Sequence, residues 1–237
     1  MPVEPPTPGW LLPDVRDVPA GQELVAVGAD LAPGTLLAGY RNALFAMPDA
    51  GLLGWWSPDP RGILLPERVH VSGSLRRALK RFEVTADARF DQVVAACADP
   101  GRPHGWISGE YAAAYHRLHR LGWAHSIEVW DPTGELAGGL FGVEVGGLFA
   151  AESKFHRVTD ASKVAVVALA DLLAAGGGRR IIDVQWSTPH LASLGVVEVS
   201  RRQYLDLLRR ALSLPGVLGA QDPPDPGPAS RIRWRRA

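Results

Sequence analysis

The sequence predicts a mixed α/β protein of the α+β type, and three observations carry that expectation. Strand-like runs follow one another closely at Ser126 to Trp130, Leu136 to Val145 and Gly147 to Ala150, separated by the turn signals Asp131-Pro132-Thr133-Gly134 and Gly146-Gly147, as in an antiparallel meander. A helical segment from Asp160 to about Ala175 is apolar on most sides and is stopped by Gly176-Gly177-Gly178, so it belongs in a core. The run Ile181-Ile182-Asp183-Val184-Gln185-Trp186 then has strand character. Strands paired as a meander, followed by a buried helix and one more strand, make a layered domain.

The remaining elements follow in chain order. Asp30 to Phe45 reads as a first helix, with Pro33 near its start and Leu36, Leu37, Tyr40 and Leu44 at helical spacing. In Trp55-Trp56-Ser57-Pro58-Asp59-Pro60-Arg61 the two prolines exclude a regular helix or a central strand. That segment marks the junction between a small N-terminal domain, residues 1–62, and a main domain, residues 63–215. Ser74 to Arg81 suggests a short helix, and Phe90, Val93, Val94 and Cys97 mark another. Glu110 to Leu121 is amphipathic, with Tyr111, Tyr115 and Leu118 on one face, Arg117 and Arg120 on another, and Gly122 at its end. Asp160 is placed to cap the long apolar helix. His190 to Leu194 is a helix or loop, and a last helix runs from Gln203 to Leu212. Residues 216–237, with Pro223, Pro224, Pro226, Pro228 and the basic end Arg231 to Arg236, have the composition of a disordered tail.

Composition bounds the function. At 237 residues, 46% hydrophobic and 21% charged, the chain is an ordinary globular protein with room for a sizeable core. Its 25 basic and 25 acidic side chains balance, so overall charge singles out no partner and only local clusters count. The single cysteine, Cys97, excludes an intramolecular disulfide and a cysteine-rich zinc site and suits a reducing interior. Met1 to Pro13 lacks a secretory pattern, and no apolar run reaches the roughly 18 to 20 residues that span a bilayer. The expectation is a cytoplasmic monomer without membrane contact.

Strand alternation puts Asp183 and Gln185 on one face, with Ile182, Val184 and Trp186 on the other. A carboxylate and a carboxamide on a buried strand are either well-bonded scaffolding or part of a site. Glu152, in Ala151-Glu152-Ser153-Lys154-Phe155, follows a strand and leads toward the apolar helix; as a lone acid it gains interest only if it meets Asp183 in space. His116 and His119 sit at i and i+3 on a helix, but no acid or cysteine nearby completes a zinc signature, so they read as surface histidines and no metal site is expected. There is no serine nucleophile elbow and no phosphate-binding GxxxxGK[ST] loop, and Gly138-Gly139 and Gly176-Gly177-Gly178 lack dinucleotide-site context. Arg76, Arg77, Lys80 and Arg81, at i, i+1, i+4 and i+5, form a compact positive stripe that can track a phosphate backbone or simply face solvent.

These segments together resemble the leucyl/phenylalanyl-tRNA–protein transferases of the bacterial N-degron pathway. The matching pieces are GADL at Gly28 to Leu31, WWSPDPR at Trp55 to Arg61, GWIS at Gly105 to Ser108, AYHRLHRLGWAHSIEVW at Ala114 to Trp130 and GELAGGLFGV at Gly134 to Val143. They continue with AESKF at Ala151 to Phe155, ASK at Ala161 to Lys163, IDVQ at Ile182 to Gln185 and HLASLG at His190 to Gly195. The resemblance implies a small N-terminal domain followed by an acetyltransferase-like (GNAT) domain. It implies transfer of leucine or phenylalanine from aminoacyl-tRNA to the α-amine of proteins beginning with arginine or lysine, with no metal or organic cofactor. By the same resemblance Gln185 positions the amine, Asp183 holds and polarises Gln185, and Glu152 helps to hold the cationic acceptor. An apolar pocket near Trp106, Tyr115, Leu140 and Phe155 takes the donor side chain, and the Arg76, Arg77, Lys80 and Arg81 stripe binds the tRNA acceptor stem. The chain departs from the family pattern at Phe45-Ala46-Met47, where phenylalanine-proline-tryptophan is common. It also carries Lys154 for methionine, His156 for serine, Asp160 for asparagine and Ser200 for proline. Two other classes remain open: a small-molecule N-acyltransferase using acetyl-CoA, and a non-catalytic tRNA-binding relative.

Overall fold

The computed structural model describes residues 1–102 and 105–218, so the expected tail lies outside the described residues from 219 onward. The chain first builds a small antiparallel sheet of order β1-β3-β2 from β1 (Leu24–Val27), β2 (Phe45–Asp49) and β3 (Leu52–Trp56). Between β1 and β2 lies α1 (Pro33–Arg41), started by a proline at its first turn, where the missing N–H costs nothing. The helix ends four residues before the expected Phe45. Asn42 folds its side chain back onto the Ala38 carbonyl at 2.8 Å, and Ala43 takes a left-handed conformation at φ 63°. Phe45 to Asp49 then pairs with Leu52 to Trp56 across the two-residue loop Ala50-Gly51, where both φ angles are positive, the turn whose twist matches a hairpin. Trp55 and Trp56 therefore end a strand, and Pro58 and Pro60, the latter after a cis peptide bond, form the connector.

The larger sheet has seven strands in the order β10-β4-β9-β8-β7-β6-β5. They are β4 (Arg61–Leu64), β5 (Glu83–Ala86), β6 (Ala124–Trp130), β7 (Leu136–Val145), β8 (Leu148–His156), β9 (Ile181–Gln185) and β10 (Val197–Val199). Strands β6, β7 and β8 form the expected meander. Among the described strands the pair β8 and β9 alone is parallel, because α5 (Ala161–Ala175) carries the chain back across the sheet between them. The other helices are α2 (Gly73–Leu79), α3 (Phe90–Cys97), α4 (Gly109–Arg120), α6 (Pro189–Ala192) and α7 (Arg201–Leu212). Each face of the sheet has its own core. One collects side chains of α1, α3, α4 and α7, among them Leu37, Val93, Tyr115, Phe141 and Leu208; the other collects α2 and α5, with Leu75, Leu140, Val164 and Leu169. Ten residues of α5 are buried, as its all-round apolar character requires. Among the described residues no helix is long and apolar enough to cross a membrane.

Several sequence expectations are corrected. Strands β1 to β5 and β10 are not anticipated by the sequence; they are only three to five residues long, and Pro48, Gly54 and Gly62 interrupt β2, β3 and β4. Strand β8 does not stop at Ala150 but runs to His156, so Glu152 lies inside a strand rather than in a loop after one. Asp160 precedes α5 in a left-handed conformation (φ 70°) and its side chain makes no capping bond; the carboxylate instead lies 3.4 Å from Lys163. The histidines of α4 are half-buried rather than on the surface: His119 stacks on Phe90 at 4.0 Å, and His116 meets the same ring edge-on.

At Gly142 the sheet tolerates no side chain. A Cβ there would fall 2.1 Å from the Ala150 carbonyl oxygen and 2.5 Å from the Phe149 ring. Gly142→Ala is therefore expected to lower stability by at least about 2 kcal/mol, read from the urea midpoint. An unchanged midpoint would show that the β7–β8 crossing gives way easily.

Candidate active site

Strands β8 and β9 run together for three rungs, Leu148↔Ile181, Phe149↔Ile182 and Ala150↔Asp183, and then part. A bulge on each outer side of this pair accompanies the parting. On β8, Ala151 pairs with Gly142 and Ser153 with Phe141, so Glu152 is the extra residue. On β9, Asp183 pairs with Ile63 and Gln185 with Gly62, so Val184 is extra. Bulges re-aim the side chains beside them, and here they break the simple alternation. Trp186 does not share a face with Ile182 and Val184 but crosses to the other core, edge-on to Phe45 at 5.3 Å and to Trp56 at 6.1 Å. Gln185 itself sits at φ 61°, a left-handed conformation that costs a non-glycine residue about 1 to 3 kcal/mol and is retained where the surroundings enforce it.

Those surroundings centre on Asp183. Its carboxylate accepts two bonds from Arg61, Nε at 2.9 Å and Nη2 at 2.6 Å, a third from the Tyr204 hydroxyl at 2.7 Å and a fourth from the Gln185 backbone N–H at 3.0 Å. Arg61 and Asp183 are both 1% exposed. The guanidinium lies between the Phe45 ring, 4.9 Å away, and the Tyr204 ring at 4.6 Å, and reaches the Ala43 carbonyl at 3.3 Å. Burial opposes its charge, but Asp183 beside it more than compensates and holds the Arg61 pKa above its ordinary value. Burial and the Asp183 charge likewise raise the Tyr204 phenol well above its usual range, so it remains a hydrogen-bond donor.

Glu152 faces the same interior. One carboxylate oxygen accepts from Tyr40 at 2.8 Å and the other from Tyr115 at 2.7 Å, with the two hydroxyls 3.4 Å apart. Burial pushes its pKa up to about 7 against the pull of the two phenols; the Asp183 charge pushes the same way and Arg61 opposes it. Glu152 thus lies close enough to Asp183, across the parting strands, to feel its charge.

With its carboxamide oriented so that the nitrogen meets acceptors, Gln185 donates to the Ala151 carbonyl at 3.1 Å and the Val184 carbonyl at 2.9 Å. It bridges β8 and β9 one step beyond their last rung. The expected polarisation of this carboxamide by Asp183 takes a different form, since the Asp183 carboxylate binds the Gln185 main-chain N–H. Of the four pocket residues, Trp106, Tyr115 and Phe155 belong to the core that holds Glu152, with Trp106 edge-on to Tyr115 at 6.3 Å. Leu140 lies on the opposite face of β7, packed in the α5 core, because strand alternation sends it away from Phe141. Arg76, Arg77, Lys80 and Arg81 are all exposed on the outside of the molecule, but α2 ends at Leu79, so the last two continue the stripe from the turn after the helix. No group of three or more His, Cys, Asp or Glu side chains among the described residues is arranged to hold a metal. Residue-level reading misses Arg61, Tyr40 and Tyr204. Arg61 ends the WWSPDPR run, where an arginine after two prolines and before an apolar strand is a usable signal. The tyrosines sit at helical spacings that look like ordinary core.

The raised pKa of Glu152 makes stability depend on pH. Between the ordinary value of 4.5 and about 7 the folded chain keeps a proton that the unfolded chain has lost. Stability therefore falls as pH rises through that window, by roughly 3 kcal/mol in all, and the loss is complete above it. Glu152→Gln is expected to gain on the wild type by about that amount between pH 4.5 and 7, measured by urea unfolding. Taking the difference cancels the contribution of His125, whose pKa is also raised: burial opposes, but the Asp87 carboxylate at 2.6 Å prevails. A pH-independent difference would show that Glu152 is ionised throughout.

Comparison with known proteins places this geometry. The family model described as "Leucyl/phenylalanyl-tRNA protein transferase" matches residues 63–209, and the model of that family's N-terminal domain matches residues 29–59. The chain is 46% identical over 216 residues to the leucyl/phenylalanyl-tRNA--protein transferase of Oleidesulfovibrio alaskensis, covering 87% of each protein. It is 49% identical over 198 residues to the protein of that name from Chromohalobacter salexigens, covering 81% of this chain and 76% of the relative. It is also 49% identical over 207 residues to that of Anaeromyxobacter sp., covering 84% and 86%. A solved structure, L-PGS from Bacillus licheniformis, aligns over 63% of this chain and 51% of that one at 10% identity with a TM-score of 0.36, below the level that indicates a shared fold. With the family model spanning well over half its length and relatives near half identity across most of it, the chain belongs to the leucyl/phenylalanyl-tRNA protein transferase family.

Proposed function

We propose that this aminoacyltransferase moves leucine or phenylalanine from charged tRNA to the α-amine of proteins beginning with arginine or lysine, marking them for N-degron degradation. A charged-tRNA donor suits a reaction in the cytoplasm. The observation that carries the mechanism is the Asp183 carboxylate, fixed by Arg61 and Tyr204 and bonded to the main chain of Gln185 where β8 and β9 part.

The donor is an ester and needs no further activation. The acceptor amine, with a reference pKa of about 7.7 to 8.0, is partly neutral at physiological pH, so neither a strong base nor a covalent nucleophile is required. The amine nitrogen attacks the ester carbonyl carbon, a tetrahedral oxyanion forms, and the bond to the ribose oxygen breaks as that oxygen takes up the proton the amine gives off. Alignment and charge stabilisation supply the rate. With the Gln185 nitrogen committed to the Ala151 and Val184 carbonyls, the carboxamide oxygen is the end offered to the amine. Asp183 acts by holding the strained Gln185 backbone rather than as a base. Glu152, between Tyr40 and Tyr115, supplies the negative charge for the cationic acceptor. The aromatic group of Trp106, Tyr115 and Phe155 receives the donor side chain, and the Arg76, Arg77, Lys80 and Arg81 stripe contacts the tRNA stem.

The same reading extends to architecture. A parallel pair that parts at a bulge, joined by a buried crossover helix, supports an acetyltransferase-like main domain. The separate three-stranded sheet supports a distinct N-terminal domain, although β4 puts Arg61 and Gly62 in the larger sheet, so the division falls just before them.

In a transfer assay with labelled phenylalanine or leucine on tRNA and an arginine-initiated peptide, Asp183→Ala and Gln185→Ala are each expected to lower kcat by about 100-fold or more. Circular dichroism and tRNA binding would check that each variant is folded, above all Asp183→Ala, which leaves Arg61 buried without its partner. Unchanged transfer by both would overturn the mechanism, and tRNA binding without transfer by the wild type would favour a binding protein.

A further inference from the structure

A cavity of about 490 Å³ opens between the outer end of β8, the segment after α3, the first turn of α5, and α6. It lies beyond the rungs that join β8 to β9, at the mouth of the gap whose inner end is Asp183 and Gln185. Its lining is strongly basic: Arg102, Lys154, His156, Arg157 and His190, with the Ser162 side chain from α5. Among the described residues the one acid in the lining is Asp99, whose Oδ1 accepts the Gly101 N–H at 2.8 Å, and the neighbouring Asp160 lies 3.4 Å from Lys163.

The two guanidiniums are bonded to neutral acceptors. Arg102 donates to the Cys97 carbonyl at 2.6 Å, the Lys154 carbonyl at 2.7 Å and the Ser153 hydroxyl at 3.4 Å. Arg157 donates to the Leu136 carbonyl at 3.2 Å and lies over the Phe155 ring. These bonds fix the cations without cancelling their charge. Burial and then the Arg102 charge hold the Lys154 amine below its ordinary pKa. Burial, followed by Lys154, Lys163 and His156, lowers the pKa of His190, with Asp160 opposing. Cations gathered so that each weakens the protonation of another are completed by an anion. The uncapped first turn of α5 adds backbone N–H groups at the same wall.

We propose that this cavity binds phosphate groups at the single-stranded 3′ end of the RNA donor, with Lys154 and Arg157 supplying charge and His156 and His190 supplying hydrogen bonds. The assignment to the donor rests on the function proposed above. It follows from position: the cavity opens at the mouth of the β8–β9 gap whose inner end holds Asp183 and Gln185, so an anion bound there lies on the approach to the reacting ester.

The test uses the full chain and the variants Lys154→Gln, Lys154→Met and Arg157→Gln, each checked for an unchanged unfolding temperature. Titration with a 5′-phosphorylated oligoribonucleotide ending in CCA is expected to show about tenfold weaker binding by each variant, and the slope of log Kd against log salt is expected to fall by about 0.7 for each phosphate that is no longer neutralised. Transfer is then compared between charged tRNA and a phosphate-free 3′-aminoacyl-adenosine, and a reduction is expected with the first donor alone. An equal reduction with both donors, or RNA binding that matches the wild type, would overturn the proposal. So would variants with weakened affinity for inorganic pyrophosphate but not for the RNA, which would assign the cavity to a free polyphosphate. A wild type that transfers from neither donor would count against the proposed function, while the RNA titration would still decide the phosphate site.

Discussion

The buried pair of Arg61 and Asp183 is the constraint on which the centre of this molecule depends. Two opposite charges withdrawn from water cost several kcal/mol each to desolvate, and only close geometry with further hydrogen bonds offsets that cost. Here the arginine binds the carboxylate through two nitrogens, Tyr204 and a backbone N–H fill its remaining positions, and two aromatic rings cover the guanidinium. The participants come from β4, β9, α7 and the β2 end of the small sheet, so one interaction ties together segments far apart in sequence. Removing either charge would leave the other buried and uncompensated, which is worth about 3 to 5 kcal/mol. The pair therefore acts as a register pin: it sets where β9 lies against β4 and, through the Gln185 N–H, the backbone conformation at which the sheet opens.

That opening is made by subtraction. A parallel pair needs evenly spaced rungs, and the extra residues Glu152 and Val184 on the outer ladders bend β8 and β9 away from each other after three of them. The backbone groups left behind at the parting are partly met from side chains: the Gln185 carboxamide takes the Ala151 carbonyl and Arg102 takes the Lys154 carbonyl. The parted edge is thus furnished at its inner end by a carboxamide and at its outer end by cations. Gly142 is the counterpart of the Glu152 bulge, since only a residue without a side chain lets the Ala150 carbonyl approach so closely.

How much of this is legible in the sequence depends on whether the signal is periodic or spatial. The meander, α3, α4 and α5 are readable because their apolar spacing is long and regular. The short strands are not, because three to five residues are too few to show a period, Pro48, Gly54 and Gly62 interrupt three of them, and they owe their form to neighbours. Asp183 announces itself as an acid inside an apolar strand. Glu152 does not, because its interest comes from Tyr40 and Tyr115, which lie 112 and 37 residues away in sequence. The alternation rule fails for Trp186 at the place where Val184 interrupts it, which is also where the candidate site lies. A bulge is invisible to a period-two reading because it is a property of the pairing and not of the strand.

The two central acids differ because their partners differ. Asp183 has a full positive charge in bidentate contact, whereas Glu152 has two neutral phenols and must also bear the field of Asp183. A buried carboxyl offered only neutral donors is poised to change charge with its surroundings, and a pKa of about 7 puts that change at neutral pH. In the proposed reaction, a cation entering beside Glu152 would favour the ionised form, linking capture of a positively charged acceptor to loss of the Glu152 proton. Before capture, the protonated form spares the protein a second uncompensated buried anion next to Asp183. The locked acid thus holds the architecture of the gap, and the adjustable one is the carboxyl whose charge the proposed acceptor would call up.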